Sequence, residues 1–113
     1  MLQVNNEMLY LGGHKMAHLH PAKQMVEIGR RLYVVRFDPP PSDPERNRNI
    51  VGYDGAGNIL WRIAECPHGG NRPKPYMHVK IDRNIRVIAS NWIGADYFVD
   101  LTTGAVTAVD FDR

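Results

Sequence analysis

Only one cysteine, Cys66, occurs in the 113 residues, so no internal disulfide can form, which fits a reducing compartment. The longest apolar runs are a few residues, far short of the roughly 20 that a membrane-spanning helix needs. The N-terminus lacks a basic start, an apolar run and a small-residue cleavage site, so no secretory signal is expected. Together these absences predict a soluble, cytoplasmic protein. Charge of one sign is also scarce. A formal net charge of +2 supplies no concentrated basic face for a phosphate backbone. Lys80, Arg83 and Arg86 are interrupted by Asp82 and read as a solvated strand face. Neither nucleic acid nor a membrane is expected as a partner. Helical periodicity is missing too, with no convincing helix of ten or more residues.

What is present is strand chemistry. The chain is 43% hydrophobic and 23% charged, an ordinary globular composition, and its length fits one β domain over residues 1–113. Short segments rich in Val, Ile, Tyr, Phe and Trp alternate with turn residues. In residues 76–82, Met77, Val79 and Ile81 alternate with His78, Lys80 and Asp82, which predicts three apolar side chains on one face. Residues 25–28 and 32–37 flank Gly29-Arg30-Arg31, and residues 49–54 and 58–64 flank Gly55-Ala56-Gly57; both read as hairpins. Strands over 85–92, 95–100 and 105–111 follow. Residues 8–11 and 15–20 are weaker candidates. The expected fold is all-β: an antiparallel sheet of about seven strands, open or partly rolled into a sandwich. Two connections carry too much proline to join a ladder, 39–48 and 66–75. They are either disordered links or binding loops.

An internal repeat organises the chain. Tyr53-Asp54 through Gly57 to Leu60-Trp61 matches Val99-Asp100 through Gly104 to Ala105-Val106, each a strand ending in Asp, a glycine turn and a second apolar strand. The aspartates lie 46 positions apart, within the roughly 40 to 50 residues of one propeller blade. The unit resembles the blade repeat of the pyrroloquinoline-quinone-dependent dehydrogenase type of propeller. Its second copy departs in having Thr107 where that pattern has tryptophan. The resemblance implies two diverged blade-like units, approximately 31–65 and 83–112. It implies no cofactor, because about four blades are needed to close a propeller ring. The stretch 47–54, with Leu60-Trp61-Arg62-Ile63, Ala89-Ser90-Asn91-Trp92 and Val99-Asp100 before Gly104, is also similar to a group of small bacterial proteins of uncharacterised function. Some comparably small, free-standing β proteins are immunity proteins that neutralise a toxin.

Candidate chemistry is sparse. His18 and His20 would share a strand face near His14, while Cys66, His68 and His78 offer further ligands, but the spacing matches no standard zinc site. These histidines read as surface and loop residues, and no metal or cofactor is expected. A Cys66 nucleophile would need an imidazole partner and an oxyanion hole, and no helix N-terminus is available to support one. Asp54 and Asp100 occupy equivalent repeat positions and read as turn caps. Trp61, alternating with Ile59 and Ile63, reads as core. For Trp92 a core position is favoured, the alternative being an exposed anchor accompanied by Asn91, Asp96 and Tyr97.

The resulting expectation is a non-enzymatic protein-binding module, most specifically an immunity-type protein whose partner is a cognate toxin. Asn91, Trp92, Asp96 and Tyr97 are the candidate partner-binding residues. A homodimer through a sheet edge is a further possibility, since an open sheet leaves unpaired edges. The alternatives are a small-ligand or metal-binding domain using the histidines, and a homo-oligomeric structural protein.

Overall fold

Four tight turns explain most of the architecture. At residues 54–58, Asp54 Oδ1 accepts hydrogen bonds from the Ala56 and Asn58 amides, both at 2.9 Å, and Gly57 takes the left-handed conformation that closes the hairpin. Residues 82–86 repeat this bonding at Asp82, with Ile85 in the glycine slot at φ 59°. Asn91 makes one bond of this kind, its amide oxygen accepting from the Ala95 amide at 3.2 Å across the turn that contains Gly94. The turn at Asp100 is one residue longer, with Gly104 donating back to the Asp100 carbonyl at 2.8 Å.

The computed structural model describes residues 2–16, 20–29, 31–70 and 72–109. Among them are eleven strands and no helix, hence no helix long and apolar enough to cross a membrane. The strands are β1 (Leu2–Asn5), β2 (Met8–Leu11), β3 (His14–Lys15), β4 (Ala22–Ile28), β5 (Leu32–Phe37), β6 (Ile50–Tyr53), β7 (Ile59–Arg62), β8 (Tyr76–Ile81), β9 (Val87–Asn91), β10 (Asp96–Val99) and β11 (Val106–Ala108). They form three antiparallel meanders, β1–β3, β4–β7 and β8–β11, each in sequential order and none closed.

The all-β, antiparallel reading therefore holds, while the single sheet of about seven strands does not. Part of the excess is β1–β3. The turn joining β1 to β2 is made by Asn6 and Glu7, both at positive φ without a glycine, so it carries little turn signal. The rest is a matter of partition. The connection after β7 delivers the chain to a new sheet instead of extending the old one. The two four-stranded sheets run over 22–62 and 76–108, each beginning one strand ahead of the units read from sequence.

The middle sheet is covered on both faces. Leu32, Val34, Ile50 and Trp61 pack with Tyr76, Val79, Val87, Ala89, Tyr97 and Val99 of the last sheet. Tyr33, Val35, Phe37, Val51 and Tyr53 pack with Leu2 and Leu9 of the first. A strand buried on both sides reads as an unbroken apolar run, which Leu32-Tyr33-Val34-Val35 is. Trp61 is core as expected; its indole occupies the space above Gly52 and donates to the Leu101 carbonyl at 2.8 Å. In β8 the expected apolar face is broken. A register shift between Tyr76 and His78 turns Met77 outward, so Tyr76 joins Val79 and partly buried Ile81 on the inward face.

Candidate functional site

Among the described residues, the two proline-rich connections meet at one end of the sheets. Asn49, just ahead of β6, binds both sides of that junction. Its Nδ2 donates to the carbonyls of Phe37 (2.9 Å) and Tyr76 (2.8 Å), and its Oδ1 accepts from the Tyr76 amide (2.9 Å). Asn47 repeats the device one step out, accepting from the Lys74 amide at 2.6 Å. Buried Lys74 closes the loop by donating from Nζ to the Gly70 carbonyl at 2.7 Å. Backbone groups that proline leaves without ladder partners are thus satisfied by buried asparagines.

This stitching brings together prolines far apart in sequence. Pro21, Pro39, Pro40, Pro41, Pro73 and Pro75 line one open groove of about 520 Å³, with Asp38 and Arg46 at its margin. Proline rings present rigid apolar surface with little conformational entropy left to lose on binding. Trp92 adjoins the groove through Pro73, whose carbonyl accepts from the indole Nε1 at 3.1 Å. Its side chain is 53% exposed, with the Arg72 guanidinium 5.5 Å from the ring centroid.

Beneath Trp92 lies a compact polar cluster. The Cys66 thiol accepts from Asn91 Nδ2 at 2.9 Å, contacts the Tyr97 hydroxyl at 3.0 Å and donates to the His68 carbonyl at 3.2 Å. His68 Nδ1 meets the same Tyr97 hydroxyl at 2.5 Å. Burial pushes the Tyr97 phenol well above its ordinary range, and its bond to Cys66 adds to the shift. Tyr76, packed edge-on to Tyr97, is raised the same way, first by burial and then by neighbouring Cys66 and Tyr97. Cys66 itself is only 1% exposed. The cluster therefore works as a clasp that holds the 66–75 loop against β9 and β10, with the thiol enclosed by its partners.

A family model matches residues 1–111. The chain belongs to the family Domain of unknown function (DUF7957). No curated protein and no solved structure matches it.

In this DUF7957 chain the four candidate partner-binding residues do not share a surface. Asn91 and Tyr97 are buried in the clasp, and Asp96 is half-buried, accepting from Ser90 Oγ at 2.5 Å. Trp92 alone stands out, a correction to the core position favoured for it. The reason is local. Trp92 occupies the tip of the Asn91–Gly94 turn that joins β9 to β10, where a side chain has no strand neighbour to cover it. The sequence pattern marks both proline-rich segments, but nothing in it joins Arg72 and the prolines into one surface. Only distant pairing through Asn47 and Asn49 makes them neighbours. The histidines are dispersed. His18 lies outside the described residues, His20 bonds Asp43 at 2.6 Å, and His78 contacts Gln24 at 3.0 Å. Among the described residues no three His, Cys, Asp or Glu side chains come together as a metal site.

Proposed function

We propose that this protein is a non-catalytic protein-binding module that uses the loop end of its sheets, and more narrowly an immunity-type inhibitor of a cognate toxin acting in the cytoplasm. The observation that carries the reading is the proline-lined groove joined through Pro73 to exposed Trp92, which has the Arg72 guanidinium over its ring. Tryptophan and arginine are the residues most often found to dominate binding energy, and a rigid apolar groove beside them limits the entropy lost on docking. The clasp at Cys66 and the Asn49 bridge hold this surface in place before any partner arrives. The narrower immunity reading rests on the likeness to small free-standing bacterial β proteins. A slight positive charge argues for a toxin surface other than that of a basic nuclease, whose inhibitors tend to be acidic.

The test is co-expression with the toxin domain of the adjacent gene. The reading expects restored growth and a complex that survives gel filtration, both lost with Trp92→Ala in a chain that still folds. Absence of rescue and complex with the parent chain would sink the immunity reading.

A second reading is supported by β7, an outer strand of the middle sheet, where Ile59 and Leu60 are 59% and 50% exposed. An apolar edge of this kind suits strand addition to a second copy of the chain. Light scattering across a concentration series would report such a dimer, and Leu60→Lys would abolish it. A parent chain that stays monomeric throughout removes this reading.

A further inference from the structure

The last sheet ends on β11, and the bonding of that strand to β10 leaves its other side open. The Asp100 amide donates to the Ala105 carbonyl at 2.8 Å and the Val109 amide to the Asp96 carbonyl at 3.0 Å, with Thr107 opposite Phe98 between them. In an antiparallel ladder, residues that bond one neighbouring strand alternate with residues whose backbone groups point the other way. Ala105, Thr107 and Val109 therefore serve β10, while Val106 and Ala108 direct two N–H and two C=O groups outward. None of these four groups has a hydrogen-bond partner among the described residues.

Side chains do nothing to close this edge. An outer strand normally carries charge or a covering element, because open backbone groups recruit other strands. The other outer strands of the two larger sheets follow that rule. β4 carries Lys23 and Glu27, β7 carries Arg62, and β8 carries Lys80. β8 is also capped, its Tyr76 amide donating to Asn49 Oδ1 at 2.9 Å and its Val79 amide to Gln24 Oε1 at 3.1 Å. Residues 105–109, by contrast, hold no charged residue and no proline. Thr107 and Ala108 are exposed, and both are small enough to admit a strand at the spacing of about 4.8 Å that a sheet requires.

We infer that this edge is an interface with a second copy of the chain, β11 pairing antiparallel with β11 about a two-fold axis at Thr107. The register is self-complementary. With Thr107 facing the partner's Thr107, Val106 faces the partner's Ala108 and Ala108 faces the partner's Val106. In both outer pairs each amide donates and each carbonyl accepts, so every outward group of β11 gains a partner. An isologous contact must match itself when the strand direction is reversed, and a charged edge would set like charges opposite each other. This edge has none to oppose, and facing threonine hydroxyls form a favourable cross-strand pair. The two four-stranded sheets then continue as one. The contact uses neither the exposed Ile59 and Leu60 of β7 nor Trp92, and is independent of both.

The test is sedimentation velocity on the full chain over a concentration series, with amide NMR on the labelled protein. So short a contact belongs to the small, transient class of interfaces, and a dimer with Kd on the order of 100 µM is expected. As concentration rises, the Val106 and Ala108 amides should shift and exchange more slowly, while the Thr107 amide, which faces β10, changes less. Thr107→Lys alters only an exposed side chain and sets two ammonium groups across the axis. Ala108→Pro removes an outward donor and leaves the bonds to β10 in place. Each should raise Kd about tenfold or more, and Leu60→Lys should leave it unchanged. Facing residues of a pair that exchanges no hydrogen bonds have Cα atoms about 4.5 Å apart, within disulfide reach. Oxidised Thr107→Cys should therefore yield covalent dimer about tenfold faster than Thr102→Cys, a variant in the exposed turn before β11. Three results would overturn the proposal: a chain that stays monomeric up to about 1 mM, ten times the expected Kd; a dimer indifferent to both Thr107→Lys and Ala108→Pro; or a dimer abolished by Leu60→Lys, which would place the contact on β7 instead.

Discussion

Ile85 and Gly57 occupy the same slot in two turns that share one hydrogen-bond plan, yet only glycine adopts positive φ freely. A β-branched residue held left-handed costs roughly 1–2 kcal/mol. Ile85 is exposed and contributes little packing in return. Ile85→Gly is therefore expected to stabilise the protein by about 1 kcal/mol, partly offset by the larger unfolded-state entropy of glycine, as a rise in the urea midpoint. Gly52 presents the opposite case. A Cβ there would lie within the Trp61 ring, so Gly52→Ala should destabilise by about 1–3 kcal/mol and lower the melting temperature. The turn aspartates also make stability pH-dependent. Amide hydrogen bonds to the ionised forms hold Asp54 and Asp82 below the usual carboxylate range. The folded state thus binds protons less readily than the unfolded one. Its stabilisation is complete above the ordinary value of about 3.9 and is lost as pH falls through the lower folded values. Acid titration of the urea midpoint should show that decline, and Asp54→Asn should flatten it while keeping the turn, since Asn91 caps its own turn with an amide oxygen. Tyr76 and Tyr97 act at the other end. Their folded values are raised, so stability is full below about pH 10 and falls as pH rises beyond it, where only the unfolded chain ionises.

At the scale of the elements, hairpins formed where the sequence carried their signals. The turns at 29–31 and 55–57 and the paired aspartates at 54 and 100 each depend on a few adjacent residues, and adjacent residues suffice to specify them. Sheet membership is a different problem. Nothing near residue 63 states that the next strand will pair with β9 and not with β7. That choice is settled by distant contacts such as those of Asn49, which binds the β5 and β8 backbones at once. Replacing it by alanine would strip three buried backbone groups of their partners at the joint between the two larger sheets. Asn49→Ala is expected to cost about 1–3 kcal/mol for each group that water cannot reach, a loss read directly from the urea midpoint. Faster proteolysis of the 66–75 loop should accompany it. The outward turn of Met77 has the same origin, because a bulge in β8 is a property of its pairing with β9.

Over the whole molecule, three stacked sheets leave their loops crowded at one end, and the binding surface proposed there is assembled from chain segments about 20 to 70 residues apart. Trp92 is the most informative residue on it. Its exposure predicts that Trp92→Ala changes stability by no more than about 0.5–1 kcal/mol in thermal melts. Loss of about 2 kcal/mol or more of partner affinity would mark it as an anchor by calorimetry.

The sequence by itself determined the β class, the antiparallel hairpins, the turn caps and the burial of Trp61, because each follows from alternation or from turn chemistry within a few neighbouring residues. Only the tertiary structure decided the division into three sheets, the burial of Asn91 and Tyr97 around Cys66, the exposure of Trp92, and the meeting of the prolines. Those outcomes depend on which distant backbone groups and apolar faces satisfy one another, and no local pattern records that choice.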